Sequence, residues 1–168
     1  MSVTDIVTAA ANGATAIGLI ALATQVRQNA KEQRATFERS VVDRYQQVIQ
    51  RIPFAEIVGR RTEPHLADDD IARAYFDYFE LCEEELYYVR KRRISGDTLN
   101  DWLEGIALHL RRPAFQAAWH GLAEIVVTAD PTGGAMRAKQ FVYFGPVAAS
   151  IISGDPPVRY RALALAKR

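Results

Sequence analysis

Hydrophobic and polar positions divide the chain into an uncharged opening and a long charged remainder with helical spacing. The stretch from Ile6 to Val26 carries no charged side chain, and Arg27 begins the charged pattern. A helix needs about 20 predominantly apolar residues to cross the hydrocarbon core of a bilayer. The pattern therefore predicts a transmembrane anchor over residues 1–26, although Ala, Thr and Asn make its first half only marginally apolar.

A ridge of small residues runs along this stretch at helical spacing. It consists of Ala10, Ala14, Gly18 and Ala21. Helices in lipid associate by close packing over small residues, so the ridge predicts contact with a second copy or with another membrane protein. The same ridge would suit a soluble helix pair, and a helix that is apolar all round can also be buried in a bundle. A secretory signal is disfavoured because no Lys or Arg precedes the stretch.

Basic residues follow the uncharged stretch closely, at Arg27, Lys31, Arg34 and Arg39, and none precedes it. Lys and Arg beside a membrane span are retained on the cytoplasmic side. The asymmetry therefore predicts a single-pass protein of the inner (cytoplasmic) membrane, with its N-terminus outside and its body in the cytosol.

Apolar residues keep helical spacing well beyond the uncharged stretch. They are Val26, Ala30, Phe37, Val41, Tyr45, Val48 and Ile52. Pro53 cannot continue a helix, so we expect one helix from about Asp5 to Ile52. The apolar stripe of this helix needs a partner, which is either the body of the protein or a second copy.

The rest of the chain predicts three to five shorter helices. The clearest begins at Asp68–Asp70 and ends with basic Arg90–Arg93, as the helix dipole favours, and Gly96 is its expected stop. Its apolar stripe is Ile71, Tyr75, Phe79, Cys82, Leu86 and Val89. Asp97 or Thr98 is expected to cap the following helix.

Proline and glycine residues set the expected boundaries in the last third of the chain. Pro113 should begin a short helix that ends near Gly121. Gly145-Pro146 should break a helix that runs from Ala135 to Phe144. Beyond residue 152 we expect a basic, frayed tail.

These elements predict an all-α protein of 168 residues with an anchor at 1–26, a cytosolic helical domain at 27–152 and a tail at 153–168. The 21 basic residues nearly cancel the 20 acidic ones, which argues against a nucleic-acid partner. Cys82 is the only cysteine, so an intramolecular disulfide is impossible.

The acidic run from Glu80 to Glu85 invites comparison with carboxylate metal sites. Helical di-iron sites use Glu-x-x-His pairs, and no Glu of this chain has His three positions later. His65, His109 and His120 lie on different predicted elements, unlike closely spaced zinc ligands. Thr132-Gly-Gly134 lacks the Lys and Ser or Thr of a phosphate loop. The sequence therefore predicts no metal and no cofactor, and we expect the acidic run to be a solvated face.

One set of polar residues qualifies as a candidate interaction or ligand site. It comprises Glu80, Glu84, Tyr87, Tyr88, Arg90 and His109. Tyr and Arg together are typical of partner surfaces. Convergence of Glu84, Tyr88 and His109 beneath a pocket would instead indicate a small-ligand-binding or enzymatic bundle.

Four segments resemble a group of uncharacterised bacterial proteins that have one N-terminal membrane helix and a small cytosolic helical domain. The segments are Ile17–Asn29, Glu83–Arg90, Gly96–Trp102 and Pro113–Trp119, and the most specific motif is Gln25-Val-Arg-Gln-Asn29. The resemblance covers roughly residues 16–144; the stretch is richer in Ala and Thr than in that group. It implies membrane attachment and an all-helical body, and it implies no activity.

We therefore expect a membrane-anchored cytosolic helical module that acts in protein interaction, in regulation or as an accessory subunit, and that is not an enzyme. Its expected partners are the lipid bilayer and either a second copy or a membrane protein. Two alternatives remain open at this point, a ligand-binding or enzymatic helical bundle and a soluble helical dimer.

Overall fold

The computed structural model describes residues 3–91, 93–94, 96–129 and 141–165, and these residues form seven α-helices. The helices are α1 Val3–Ile49, α2 Phe54–Ile57, α3 Asp69–Arg90, α4 Gly96–Leu110, α5 Pro113–Ala129, α6 Phe144–Ile152 and α7 Pro157–Leu165. The predicted all-α class is confirmed for this part of the chain. Side chains are described from residue 18 onward, except at 92, 95, 123–140 and 166–168.

The chain divides into two compact units, Met1–Arg39 and Ser40–Arg168. In the first unit, every residue from Gly18 to Thr36 is exposed to solvent. Of the predicted small-residue ridge, Gly18 and Ala21 are therefore exposed, while the side chains of the two earlier alanines lie outside the described residues. Among the described helices, none is both long enough and apolar enough to cross a bilayer.

Helix α3 is the central helix of the second unit and contacts α5, α6 and α7. It begins where the sequence predicts, because the Asp68 carboxylate accepts hydrogen bonds from the backbone N–H groups of Asp70 and Ile71 at 2.9 and 3.2 Å. The predicted stripe is buried at Tyr75, Phe79, Cys82, Leu86 and Val89. The spacing of apolar residues in the sequence therefore predicted the buried face of α3 correctly.

Aromatic rings fill the space between α3 and its neighbours. The Phe79 ring lies 5.1 Å from the Trp119 ring of α5 and 5.9 Å from the Phe144 ring of α6. Tyr75 meets Phe115 of α5 edge to face at 5.1 Å. Such pairs add about 0.5–1.5 kcal/mol each beyond the burial of their area.

The C-terminal part of α1 belongs to this core. Val41 and Val48 are buried, and so is Ile52, which follows the helix. This half of the predicted stripe therefore packs on the body of the protein, which is one of the two partners expected for it.

Two glycines do not act as the predicted helix stops. Gly96 is the first residue of α4, so Asp97 and Thr98 lie inside that helix rather than capping it from outside. Helix α5 begins at Pro113 as predicted but continues through Gly121 to Ala129. A Cβ at Gly121 would lie 2.8 Å from Leu66 Cδ1. Gly121 therefore lies inside α5, close to the end of the Leu66 side chain, and not at a helix terminus.

The C-terminal segment is more ordered than the sequence predicts. Gly145 and Pro146 occupy the first turn of α6, where a missing backbone N–H is tolerated. Most of the helix predicted from Ala135 to Phe144 lies outside the described residues. Helix α7 then buries Tyr160 and Ala164. The frayed tail is therefore a wrong prediction for Pro157–Leu165, because two inward residues at i, i+4 spacing anchor the segment.

Candidate functional site

A cavity of about 270 Å³ lies among α1, α3 and α4 of the second unit, and we call it the Glu85 cavity. Three aromatic rings and two carboxyl groups line it. These are Tyr45 of α1, Tyr78 and Glu85 of α3, and Asp101 and Trp102 of α4, with Val42, Leu81, Cys82, Gly105 and Ile106 completing the wall. This size lies just below the common range of ligand pockets, about 300–1,000 Å³.

Helical spacing brings these side chains to one place. Tyr78, Cys82 and Glu85 follow at four and three residues, so they share one face of α3. On α4, Trp102 and Ile106 are four residues apart and face them. Gly105 borders open space in the cavity, because a Cβ placed there would meet no atom within 4 Å.

Glu85 is the most unusual group of the cavity. It is only 6% exposed, and among the described residues none pairs with its carboxyl group through a hydrogen bond or an ion pair. Burial, with a smaller contribution from the negative charge of Glu84, raises the pKa of Glu85 from 4.5 to about 8. Glu85 is therefore mostly protonated at pH 7. A buried carboxyl group with a strongly raised pKa and no polar partner marks a candidate binding site.

A second buried carboxyl group, that of Glu56 in α2, accepts a hydrogen bond at Oε2, while its Oε1 has an ion pair and no hydrogen bond among the described residues. Tyr75 donates a hydrogen bond to Glu56 Oε2 at 2.8 Å, and Arg61 Nη1 lies 3.5 Å from Oε1. These two contacts give the Glu56 carboxylate a structural role in joining α2 to α3. The Glu85 carboxyl group has no comparable explanation.

A neutral histidine lies beside the cavity. His109 Nδ1 is 3.2 Å from the Tyr78 hydroxyl oxygen, and the imidazole stacks on the Phe115 ring at 4.8 Å. Burial, together with the positive charge of Arg112, lowers the pKa of His109 from 6.5 to about 4. The imidazole is therefore uncharged at pH 7 and holds the Tyr78 ring that forms part of the cavity wall.

The six polar residues singled out from the sequence occupy three different places. Glu80, Glu84 and Tyr87 line an open surface groove of about 400 Å³. Tyr88 donates a hydrogen bond to Glu84 at 3.3 Å beside this groove. The remaining two of the six lie elsewhere, Arg90 against α7 and His109 in the core near the Glu85 cavity.

Arg90 connects α3 to the C-terminal helices. Its Nη2 donates to the Leu163 carbonyl oxygen at 3.2 Å, and its guanidinium carbon lies 4.3 Å from the centre of the Tyr143 ring. These contacts stabilise the docking of α7. Arg90 and His109 thus do not converge with Glu84 and Tyr88 on one pocket.

Most carboxylates of the surface groove already have partners. Glu84 forms an ion pair with Arg44. Glu83 accepts hydrogen bonds from the backbone N–H groups of Tyr143 and Phe144 at 2.9 and 2.6 Å, which caps the start of α6. Within the described residues, no group of three or more His, Cys, Asp or Glu side chains is arranged to hold a metal ion.

Glu85 was missed because the whole acidic run was assigned to a solvated face. The structure buries Glu85, so that assignment is wrong at this residue. The available signal was its position three residues after Cys82 and four before Val89, both members of the predicted apolar stripe. A carboxyl group at that register lies on the inward face of α3.

No protein-family model matches the chain, and no match was found among curated proteins or among solved structures. The resemblance carried by Gln25–Asn29 and the later segments therefore stays a prediction.

Proposed function

We propose that the second unit binds a small organic molecule in the Glu85 cavity. The observation that carries this proposal is a carboxyl group, 6% exposed and without a described partner, in the wall of a cavity of about 270 Å³. The Glu85 oxygens are not among the fully buried side-chain atoms that lack a hydrogen-bond partner, so a molecule that enters the cavity can reach them. A ligand with a polar group at this position would supply the partner that the described residues do not, so the arrangement favours binding.

The size of the cavity and the nature of its wall limit the ligand to a small molecule with an apolar body. An engineered apolar cavity of about 150 Å³ already binds benzene, so a cavity of 270 Å³ has room for one aromatic ring with a short substituent. Trp102, Leu81 and Ile106 supply the apolar contacts, while Glu85 supplies one polar anchor.

Filling the cavity from Gly105 tests this proposal. Toluene and benzyl alcohol are titrated into the full chain, and binding is followed by the NMR signal of the Trp102 indole N–H. We expect saturable shifts in the original protein. Gly105→Leu should weaken binding at least tenfold, because its side chain occupies the open space beside Gly105.

The matched control is Gly105→Ala, which adds one methyl group and leaves most of the cavity empty. This variant should keep binding, and its helix propensity should raise the free energy of unfolding by up to about 1 kcal/mol. Absence of saturable binding, or equal binding by Gly105→Leu in a folded protein, would refute the proposal.

A second candidate function is self-association through the first unit, and the exposed stretch Gly18–Thr36 favours it. Leu19, Leu22 and Val26 follow at spacings of three and four, so they share one helix face. Leu22 and Val26 are 59% and 65% exposed. A single helix exposed on all sides is marginally stable in water, so it gains stability from a partner.

A second copy of the chain fits this stretch better than lipid on every side. Gln28 lies opposite the apolar stripe, Gln25 and Glu32 lie at its side, and Ile20, which is 68% exposed, also lies outside it, so the surface beyond the stripe is mixed rather than apolar all round. Two such stripes packed together would form a coiled-coil-like pair. The alternative partner of this stretch is the lipid bilayer, as predicted from the sequence.

Sedimentation velocity of the full chain tests whether a second copy is the partner of this stretch. We expect a dimer that Leu22→Glu converts to a monomer, while Gln28→Glu on the opposite face leaves it dimeric. A monomeric original protein would contradict self-association. Recovery of the chain only with membranes after detergent-free lysis would assign the stretch to the bilayer instead.

A further inference from the structure

We propose that the ligand of the Glu85 cavity is a small organic cation, an arylalkyl amine, whose ammonium group pairs with the Glu85 carboxylate. This inference rests on the function proposed above and names the class of ligand.

The charge of the cavity wall favours a cation. Glu85 and Asp101 both line the cavity, and of the described lining residues none is Lys or Arg. Glu85 is buried and Asp101 is exposed, so one carboxyl group lies deep in the cavity and the other at its rim. A cation would therefore meet the Asp101 carboxyl group on entry and, at the bound position, the Glu85 carboxyl group, which becomes negative only when it loses its proton.

The aromatic rings of the cavity favour an organic rather than an inorganic cation. Tyr45, Tyr78 and Trp102 line the same space as the two carboxyl groups. Aromatic faces attract ammonium groups, and the attraction grows to about 2 kcal/mol or more when the pair is desolvated. An arylalkyl amine would use the rings for its body and Glu85 for its charge.

Pairing of the ammonium group with Glu85 is a non-covalent step that releases one proton. The carboxyl group loses its proton to solvent and becomes a carboxylate, and the ammonium group donates a charge-assisted hydrogen bond to it. No bond of the ligand is broken. Since burial raises the pKa of Glu85 to about 8, this proton is still bound in the free protein at neutral pH.

The other titratable groups around the cavity do not supply this proton between pH 5.5 and 7.5. Burial raises the pKa of Tyr45 and raises those of Tyr78 and Cys82 well above their ordinary values, so these three groups stay protonated. His109 stays neutral because its pKa is lowered to about 4.

Three further charged groups, two from α4 or its end and one from α3, act on the cavity or line it. Arg112, beyond the end of α4, acts on Tyr45 and His109. Glu84 of α3 raises the pKa of Glu85. Asp101 of α4 lies at the exposed rim.

The test compares benzylamine with benzyl alcohol, which has nearly the same shape and no charge. Isothermal titration calorimetry is run at pH 5.5 and 7.5 in buffers of different ionisation enthalpy, so that proton release is measured directly. We expect the affinity for benzylamine to rise roughly 75-fold over this range, with close to one proton released at the lower pH. The affinity for benzyl alcohol should change less than twofold.

Glu85→Gln should remove both the proton release and the pH dependence for benzylamine while keeping binding of benzyl alcohol. Glu104→Gln, an exposed carboxyl group on α4 outside the cavity wall, should behave as the original protein. If benzyl alcohol binds but benzylamine binds no better and releases no proton, the cation inference is overturned and the proposed function stands. If neither compound binds, the proposed function fails as well.

Discussion

Glu85 and His109 should give the stability of the protein opposite dependences on pH. Burial raises the pKa of Glu85 from 4.5 to about 8, so the folded state holds this proton more tightly than the unfolded chain. The resulting stability is present below pH 4.5 and is lost as the pH rises to 8. Burial lowers the pKa of His109 from 6.5 to about 4, so its contribution is present above pH 6.5 and is lost as the pH falls to 4.

The magnitudes follow from these pKa values. A tenfold change in proton affinity is worth about 1.4 kcal/mol, so the full effect is roughly 5 kcal/mol for Glu85 and roughly 3 kcal/mol for His109. Between pH 4.5 and 6.5 the pH dependences of the Glu85 and His109 contributions cancel, so the free energy of unfolding should be nearly constant. From pH 6.5 to 8 Glu85 acts alone, and the free energy of unfolding should fall by roughly 2 kcal/mol.

Substitutions separate the two contributions. Glu85→Gln keeps the shape of the side chain and removes its titration, so the free energy of unfolding should rise from pH 4 to 6.5 and then stay level. His109→Gln removes the opposing pH dependence, so the free energy of unfolding of this variant should fall continuously from pH 4.5 to 8. Other carboxyl groups, such as Glu83 whose pKa burial also raises, affect every variant in common and cancel in the comparison.

Urea denaturation followed by far-UV circular dichroism at five pH values between 4 and 8 measures these profiles. The exposed Glu104→Gln variant serves as the control and should follow the original protein at every pH. Parallel profiles for Glu85→Gln and the original protein would refute the reasoning, because they would mean that Glu85 has the same proton affinity in the folded and unfolded states.

Two further predictions concern the positioning of α3. Tyr75→Phe leaves the buried Glu56 carboxylate without its hydrogen bond at 2.8 Å and should lower the free energy of unfolding by about 1–3 kcal/mol. Tyr87→Phe, at an exposed tyrosine of the same helix, should change it by less than about 0.5 kcal/mol in the same urea titration. Asp68→Ala removes the N-cap of α3 and should cost about 1 kcal/mol, more than Asp69→Ala one residue later. Equal effects of the two aspartate substitutions in thermal unfolding would contradict the capping role.

Local signals were sufficient for the helices themselves. The Asp68 cap and the stripe from Tyr75 to Val89 both depend on groups within a few residues of each other, so spacing alone predicted the start and the inward face of α3. Pro113 likewise marked the start of α5, because a proline at the first helical position needs no backbone partner. The all-α class follows from such short-range patterns.

Tertiary structure decided everything that depends on two segments distant in sequence. Gly121 looked like a helix end, but its role depends on Leu66, which approaches from another part of the chain. The sequence predicted a solvated face for the whole acidic run, yet Glu85 is buried because α1 and α4 cover that face of α3. Burial is a property of what surrounds a side chain, and the surroundings of Glu85 come from residues as far along the chain as Tyr45 and Trp102.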